Sequence, residues 1–238
     1  MSIKLSALAL GLTLAYGATA AMAADVATVD QNGNFNNAVI EQWSNNTAHA
    51  TITSYGDFNE GYIEQNDNTS AVATITTFGD FNDAVITQED VRTSNATIYQ
   101  AANAGSATID QSGGGWGGWW GSSDGNNQNA VINQTAGWGN NAWVTQTGDN
   151  LDAIINQAGY RNQAGIVQDG DGGQYNMARI NQSGSFNDGY ISQNGKNLVA
   201  TVSQYGSHND AVVLQQGANY TATVTQVGYG NDAYVNQR

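Results

Sequence analysis

A five-residue arm, Ala-x-Ile/Val-x-Gln, recurs along this chain and constrains the fold more than any other feature. The arms come in pairs with a Gly and an Asn between them: Ala27–Gln31, Gly33, Asn36 and Ala38–Gln42 make the first pair. Nine such units span residues 27–42, 50–65, 73–88, 96–111, 130–146, 153–168, 178–193, 200–215 and 222–237. They repeat every 23 residues in the N-terminal half and every 22 at the C-terminal end. Self-similarity at such a period is the signature of a repeat architecture. Position one is Ala or Gly in all 18 arms and position three is Ile or Val in all 18; position five is Gln in 16, with Ser54 and Thr77 the exceptions. Positions two and four vary freely, as in Thr28/Asp30, Tyr62/Glu64 and Arg179/Asn181.

Constrained and free positions alternate with period two, the mark of a β-strand with one buried face. The Gly and Asn between arms suit a tight turn, where φ > 0 or a side chain that bonds backbone is needed. Each unit therefore reads as strand–turn–strand. One unit cannot bury its Ile face alone, but stacked units can, each rung pairing its backbone with the next. The expected fold is all-β: a cross-β, amyloid-like β-solenoid of about nine rungs, about 43 Å tall at 4.8 Å per rung. Stacking sets the inward Gln residues above one another, so their carboxamides bond along the axis as in a steric-zipper ladder. The members are Gln31, Gln42, Gln65, Gln88, Gln100, Gln111, Gln134, Gln146, Gln157, Gln168, Gln182, Gln193, Gln204, Gln215, Gln226 and Gln237. Asn36, Asn59, Asn82, Asn140, Asn162, Asn187, Asn209 and Asn231 form a second candidate ladder. An unpaired buried carboxamide is costly, whereas a column of them is mutually satisfied.

Composition narrows the function classes. The 238 residues hold no Pro and no Cys, so nearly every backbone N–H is free to pair, and disulfide or thiolate chemistry is excluded. Thirty Asn and 20 Gln make up roughly a fifth of the chain. Two His residues, His49 and His208, leave little for metal or acid–base chemistry, and no catalytic constellation or cofactor motif is readable. A net charge of −14 argues against nucleic acid as a partner. Residues 1–23 carry Lys4, an apolar run from Leu5 to Tyr16, and Ala21-Met22-Ala23, the layout of a cleaved export signal. Loss of Lys4 would take the charge to −15 and leave residues 24–238 as the repeat domain.

Some segments break the pattern. Ala102 and Gly105 replace the Gly and Asn of the fourth unit, and the fifth unit has an extra turn residue around Gly137-Trp138-Gly139. A Gly/Trp-rich insertion fills residues 112–129. It reads as an irregular loop; the competing reading, a degenerate strand over Trp119–Ser123, lacks the required Ile/Val and Gln. Trp116, Trp119, Trp120 and Trp138 offer stacking surfaces for a matrix polysaccharide, although a plain surface excursion is the simpler reading. Asp169-Gly170-Asp171-Gly172-Gly173 is faintly like a calcium loop and reads as a linker. Tyr62, Trp143, Tyr190 and Tyr234 point outward, where they suit lateral packing between copies, although outward aromatics are also common on ordinary strands.

The pattern Gln-x-Gly-x-x-Asn-x-Ala-x-x-x-Gln resembles the curlin repeat of bacterial curli, the functional amyloid of biofilms. Val224–Ala233 is the closest stretch, and the resemblance runs over residues 27–237. It implies a secreted subunit that self-assembles into extracellular fibres for adhesion, aggregation and matrix formation. It also implies a nucleating subunit and an outer-membrane secretion pore as partners. The chain departs from the familiar major subunit in having more repeats and the Gly/Trp insertion. Only residues 24–26 separate the expected cleavage site from the first arm, where the family carries a targeting segment. Arms start at Ala27 and finish at Gln237, so both ends of the stack are expected to be uncapped, with Val29 and Val235 meeting neighbouring copies. Asp188, Asp210 and Asp232 would stack as like charges and slow assembly. Uniform repeats favour the major subunit over a nucleator. The rival classes are a monomeric solenoid adhesin, an ice-binding surface built on Thr51/Thr53, Thr74/Thr76 and Thr223/Thr225, and a solenoid enzyme with converging carboxylates.

Overall fold

The computed structural model describes residues 25–113, 125–170 and 175–238. The export signal, Trp116, Trp119 and Trp120, the Trp119–Ser123 alternative and the segment Asp171–Gly173 all lie outside the described residues. The first rung is β1 (Val26–Asn32) and β2 (Asn37–Trp43), the second β3 (His49–Tyr55) and β4 (Glu60–Asn66), the third β5 (Val72–Phe78) and β6 (Asp83–Glu89). A two-residue strand, β7 (Val91–Arg92), precedes the fourth rung, β8 (Asn95–Gln100) and β9 (Ser106–Ser112). Its partner β10 (Gly125–Asn126) precedes the fifth, β11 (Asn129–Trp138) and β12 (Asn141–Gly148). Rungs six and seven are β13 (Leu151–Tyr160) with β14 (Gln163–Gly170) and β15 (Asn176–Ser185) with β16 (Asp188–Lys196). Rungs eight and nine are β17 (Val199–Ser207) with β18 (Asp210–Ala218) and β19 (Thr221–Tyr229) with β20 (Asp232–Gln237).

First arms build one nine-stranded sheet and second arms another, with every pairing parallel and between consecutive rungs. The molecule is a β-solenoid. The two arms of a rung do not pair with each other; their inward side chains face across the interior of the stack. Ile52, Ile63, Ile75, Ile86, Ile98, Ile109, Ile132, Ile155, Ile166, Ile180 and Ile191 are wholly buried there, each worth about 1.5–3 kcal/mol of burial. Position one is small because the opposite Ile leaves no room. A Cβ on Gly61 would stand 2.9 Å from Cγ2 of Ile52, and one on Gly189 would stand 3.1 Å from Cγ2 of Ile180.

In the turn within a rung, Gly-x-x-Asn, the Asn side chain bonds backbone, as in Asn82 Nδ2 to Phe78 O at 3.4 Å, and only some of the turn residues take positive φ. Gly33, Gly56 and Gly79 do so, at +134°, +119° and +103°, but the Asn residues do not. The other left-handed position belongs to Phe35, Phe58, Phe81, Ala104, Arg161, Phe186 and His208. Each of these pays the Cβ clash of that region, about 1–2 kcal/mol. Backbone pairing to the adjacent rung holds it in place, as in Phe58 N–H to Asn34 O at 2.9 Å.

The change from 23 to 22 residues sits in the turn between rungs. The longer form has two left-handed residues, Ser44 and Thr47 or Asp67 and Ser70; the shorter has Gly195 with Asn197 or Gly217 with Asn219. The longer turns also carry the small β7–β10 sheet and the Asn46–Thr69–Arg92 bridges, which the arm pattern does not foretell. The extra residue of the fifth unit is Thr135, a bulge between Gln134 and Ala136, rather than a residue around Gly137–Gly139. Asn133 and Gln134 stay in register before it, and Gly137 pairs with Gly159 after it.

Candidate assembly interface

The inward Gln residues form two columns, one per sheet. Along the second arms the column is unbroken through all nine rungs. Gln42 donates to Gln65 at 2.7 Å, Gln65 to Gln88, Gln88 to Gln111 and Gln111 to Gln146 at 2.8 Å, and so on through Gln168, Gln193 and Gln215 to Gln237. Along the first arms it runs Gln100, Gln134, Gln157, Gln182, Gln204 and Gln226, at 2.8–3.0 Å. Gln31 belongs to the same column but is separated from Gln100 by Ser54 and Thr77. From Gln65 onward the second amide hydrogen of the inward Gln crosses to the facing sheet, as in Gln204 to Asp188 O and Gln226 to Asp210 O, both 2.7 Å. The columns therefore bond along the axis and tie the sheets together.

These columns have a direction. In every Gln pair Nε2 donates to Oε1 of the next rung. The Asn column runs the other way: Asn59 Nδ2 donates back to Asn36 Oδ1 at 3.3 Å, Asn82 to Asn59 at 3.1 Å, and Asn231 to Asn209 at 2.8 Å. Asn162, Asn187 and Asn209 continue it from Asn140. Gly105 interrupts it in the fourth rung; there the side-chain bond is lost and the backbone one remains, from Gly105 N–H to Asn82 Oδ1 at 3.0 Å. Each Asn also donates to a turn carbonyl, such as Asn59 to Gly79 O at 2.8 Å. Among the described residues, β1 and β2 have a sheet neighbour on one side only, and so do β19 and β20.

Outside the core, stacked columns also form. Asp188, Asp210 and Asp232 are in register on consecutive rungs. Asp188 is exposed, yet its carboxyl is held above the usual carboxylate range, first by partial desolvation and then by Asp210, against a lowering bond from Gly189. Burial also raises Asp110. Tyr62 donates to Glu41 at 2.8 Å and to Glu64 at 3.1 Å; desolvation and then those two bonds push its hydroxyl far up. Tyr175, desolvated and bonded to Asp152 at 2.7 Å, is pushed up to about 12.

The most regular aromatic columns were not the ones singled out from the sequence. Phe35, Phe58 and Phe81 stack at 4.9 and 5.0 Å along the turn edge, and Trp138, Tyr160, Phe186, His208 and Tyr229 continue that edge after a gap. His208 thus lies between two rings. The readable signal was the 23-residue recurrence of Gly-x-Phe-Asn. Of the outward aromatics expected, Tyr234 is exposed, while Tyr62, Trp143 and Tyr190 are half-buried, Trp143 lying flat over Gly165. His49 sits exposed at the start of β3. Among the described residues, no group of three or more His, Asp or Glu side chains is placed to hold a metal ion.

No curated protein matches the chain. Residues 173–206 and 197–228, two overlapping stretches within rungs seven to nine, match the curlin associated repeat. The C-terminal part of this solenoid therefore carries curlin-type repeats, and with the fold this points to a structural protein.

Proposed function

We propose that this protein is a curli-like amyloid subunit that assembles end to end into extracellular fibres, serving adhesion, cell aggregation and biofilm matrix. One observation carries the reading: the edge strands at both ends of the stack repeat the inward side chains of the interior strands. Edge strands are ordinarily blunted by Pro, Lys or bulges, and β1, β2, β19 and β20 contain neither Pro nor Lys. A second copy set on the last rung places Val29 on Val224 and Ile40 on Val235. Gln31 follows Gln226, Gln42 follows Gln237, and Asn36 follows Asn231. This contact is heterologous and does not close, so it propagates as a filament.

The direction of the columns adds polarity. Head to tail, Gln226 and Gln237 offer Nε2 hydrogens to the Oε1 atoms of Gln31 and Gln42, while Asn231 offers Oδ1 to Asn36. Joining two like ends would set donor against donor or acceptor against acceptor. The curlin-type repeats at 173–228 support the class, and export through residues 1–23 completes the reading. A nucleating subunit and an outer-membrane pore are partners within the same proposal. Incubation of the protein lacking residues 1–23 with an amyloid dye tests it. We expect a lag abolished by preformed fibres and a cross-β diffraction pattern; a permanently monomeric protein with neither would refute assembly.

A further inference from the structure

Rungs two and three depart from the first-arm column, carrying Ser54 and Thr77 where the other seven rungs carry Gln. Both side chains are wholly buried. Ser has three heavy atoms fewer than Gln and Thr two, so each substitution opens space inside the stack. Around that space four polar atoms have no hydrogen-bond partner among the described residues: Gln31 Nε2, Ser54 Oγ, Thr77 Oγ1 and Gln100 Oε1. Register places them in one file, Gln31 against Ser54, Ser54 against Thr77, and Thr77 against Gln100.

The chemistry of the file is ordered. It starts at a donor and ends at an acceptor, with two hydroxyls between that can do both. In intact rungs the second amide hydrogen goes to a carbonyl of the facing sheet, as from Gln100 to Asp83 O at 3.1 Å and from Gln134 to Ser106 O at 3.0 Å. The equivalent carbonyls opposite Ser54 and Thr77 are those of Asn37 and Glu60, by register with Asp83. A buried water settles where the space is polar, roomy and offers two to four partners.

We infer that this break is a binding site for two water molecules, one beside Ser54 and one beside Thr77. They carry the donor–acceptor chain from Gln31 Nε2 to Gln100 Oε1 and donate to the carbonyls of Asn37 and Glu60. The site is independent of whether the protein forms fibres.

Water-to-protein magnetisation transfer on the full chain tests it, with Thr77→Val and the double change Ser54→Gln/Thr77→Gln as variants. The wild type should show slow-exchange water cross-peaks at the Gln31 side-chain amide and at Thr77, lost in the double variant as its carboxamides close the column. Thr77→Val should lower the unfolding midpoint by about 2–4 °C, because a methyl of the same shape takes a partner from a bound water. Unbonded hydroxyls predict the reverse, since replacing an unsatisfied buried hydroxyl by a methyl is neutral or stabilising. Absence of the cross-peaks in the wild type, or a midpoint unchanged or raised in Thr77→Val, would overturn the inference.

Discussion

Gln88 donates from Nε2 to Oε1 of Gln111 at 2.8 Å while its own Oε1 receives Gln65 at 2.8 Å, and all three side chains are wholly buried. A carboxamide in this column is bonded above and below, so removing one strands two neighbours. Gln88→Leu keeps the bulk but strands one Nε2 hydrogen of Gln65 and the Oε1 of Gln111. At about 1–3 kcal/mol for each stranded group, the expected loss is about 2–6 kcal/mol, read from the midpoint of guanidinium unfolding. Gln237→Leu, at a position bonded along the axis on one side only, should cost less. Equal losses at the two sites would show that the column contributes nothing beyond packing.

The turn glycines separate by what surrounds them rather than by φ alone. Gly206 has φ +117° and a Cβ there would run into the carbonyl of Gly228, whereas Gly230 has φ +67° and nothing within 4 Å. Gly206→Ala must therefore push two rungs apart, and a loss above about 3 kcal/mol is expected. Gly230→Ala meets only the left-handed penalty of about 1–2 kcal/mol. Thermal unfolding of the two variants distinguishes them, and similar midpoints would mean that the rungs tolerate separation.

The arms were legible because their geometry is fixed by the period-two pattern alone. Ile52 inward, Thr51 outward and the register of Gln88 over Gln111 all follow from spacing and the need to bury one face. The turns were legible only in their Gly and Asn, because the conformation of the residues between is set by a neighbouring rung rather than by local sequence. Asp57 N–H bonds Asp80 Oδ1 at 2.8 Å and Asp80 N–H bonds Asn103 Oδ1 at 2.9 Å, contacts that span 23 residues. Such contacts put Phe58, not Asn59, in the left-handed region, against intrinsic preference. Similarly, Thr135 adds a residue that spacing can count but cannot place, since a bulge anywhere between Gln134 and Asn140 gives the same offset.

Phe58 offers a test of that override. Its ring stacks between Phe35 and Phe81, and its φ is +58°. Phe58→Ala loses the stack and keeps the strain; Phe58→Gly loses the stack and relieves the strain. Glycine normally costs more conformational entropy than alanine, so the ordinary ranking favours Ala. Here Phe58→Gly should be the more stable of the two by about 1 kcal/mol, and both should be less stable than wild type. Unfolding midpoints that rank Ala above Gly would contradict a left-handed Phe58.

The acid column predicts how stability moves with pH. The Asp188 carboxyl in the fold sits above its ordinary value of 3.8, through desolvation and then Asp210. A raised carboxylate binds its proton more readily folded than unfolded, so stability falls as pH rises through the folded value and is recovered on acidification toward about 4. Asp110, raised by burial, acts in the same sense. Asp188→Asn keeps the shape and removes the charge permanently, so it should raise stability at pH 7 and flatten the dependence between pH 7 and about 4. Salt should mimic part of the effect by screening Asp188 from Asp210 and Asp232. If stacking copies obey the same linkage, mild acid, salt and Asp188→Asn should each shorten the assembly lag. The measurement is the unfolding midpoint and the dye-monitored lag at the two pH values; identical pH slopes in wild type and variant would exclude Asp188 as the responsible group.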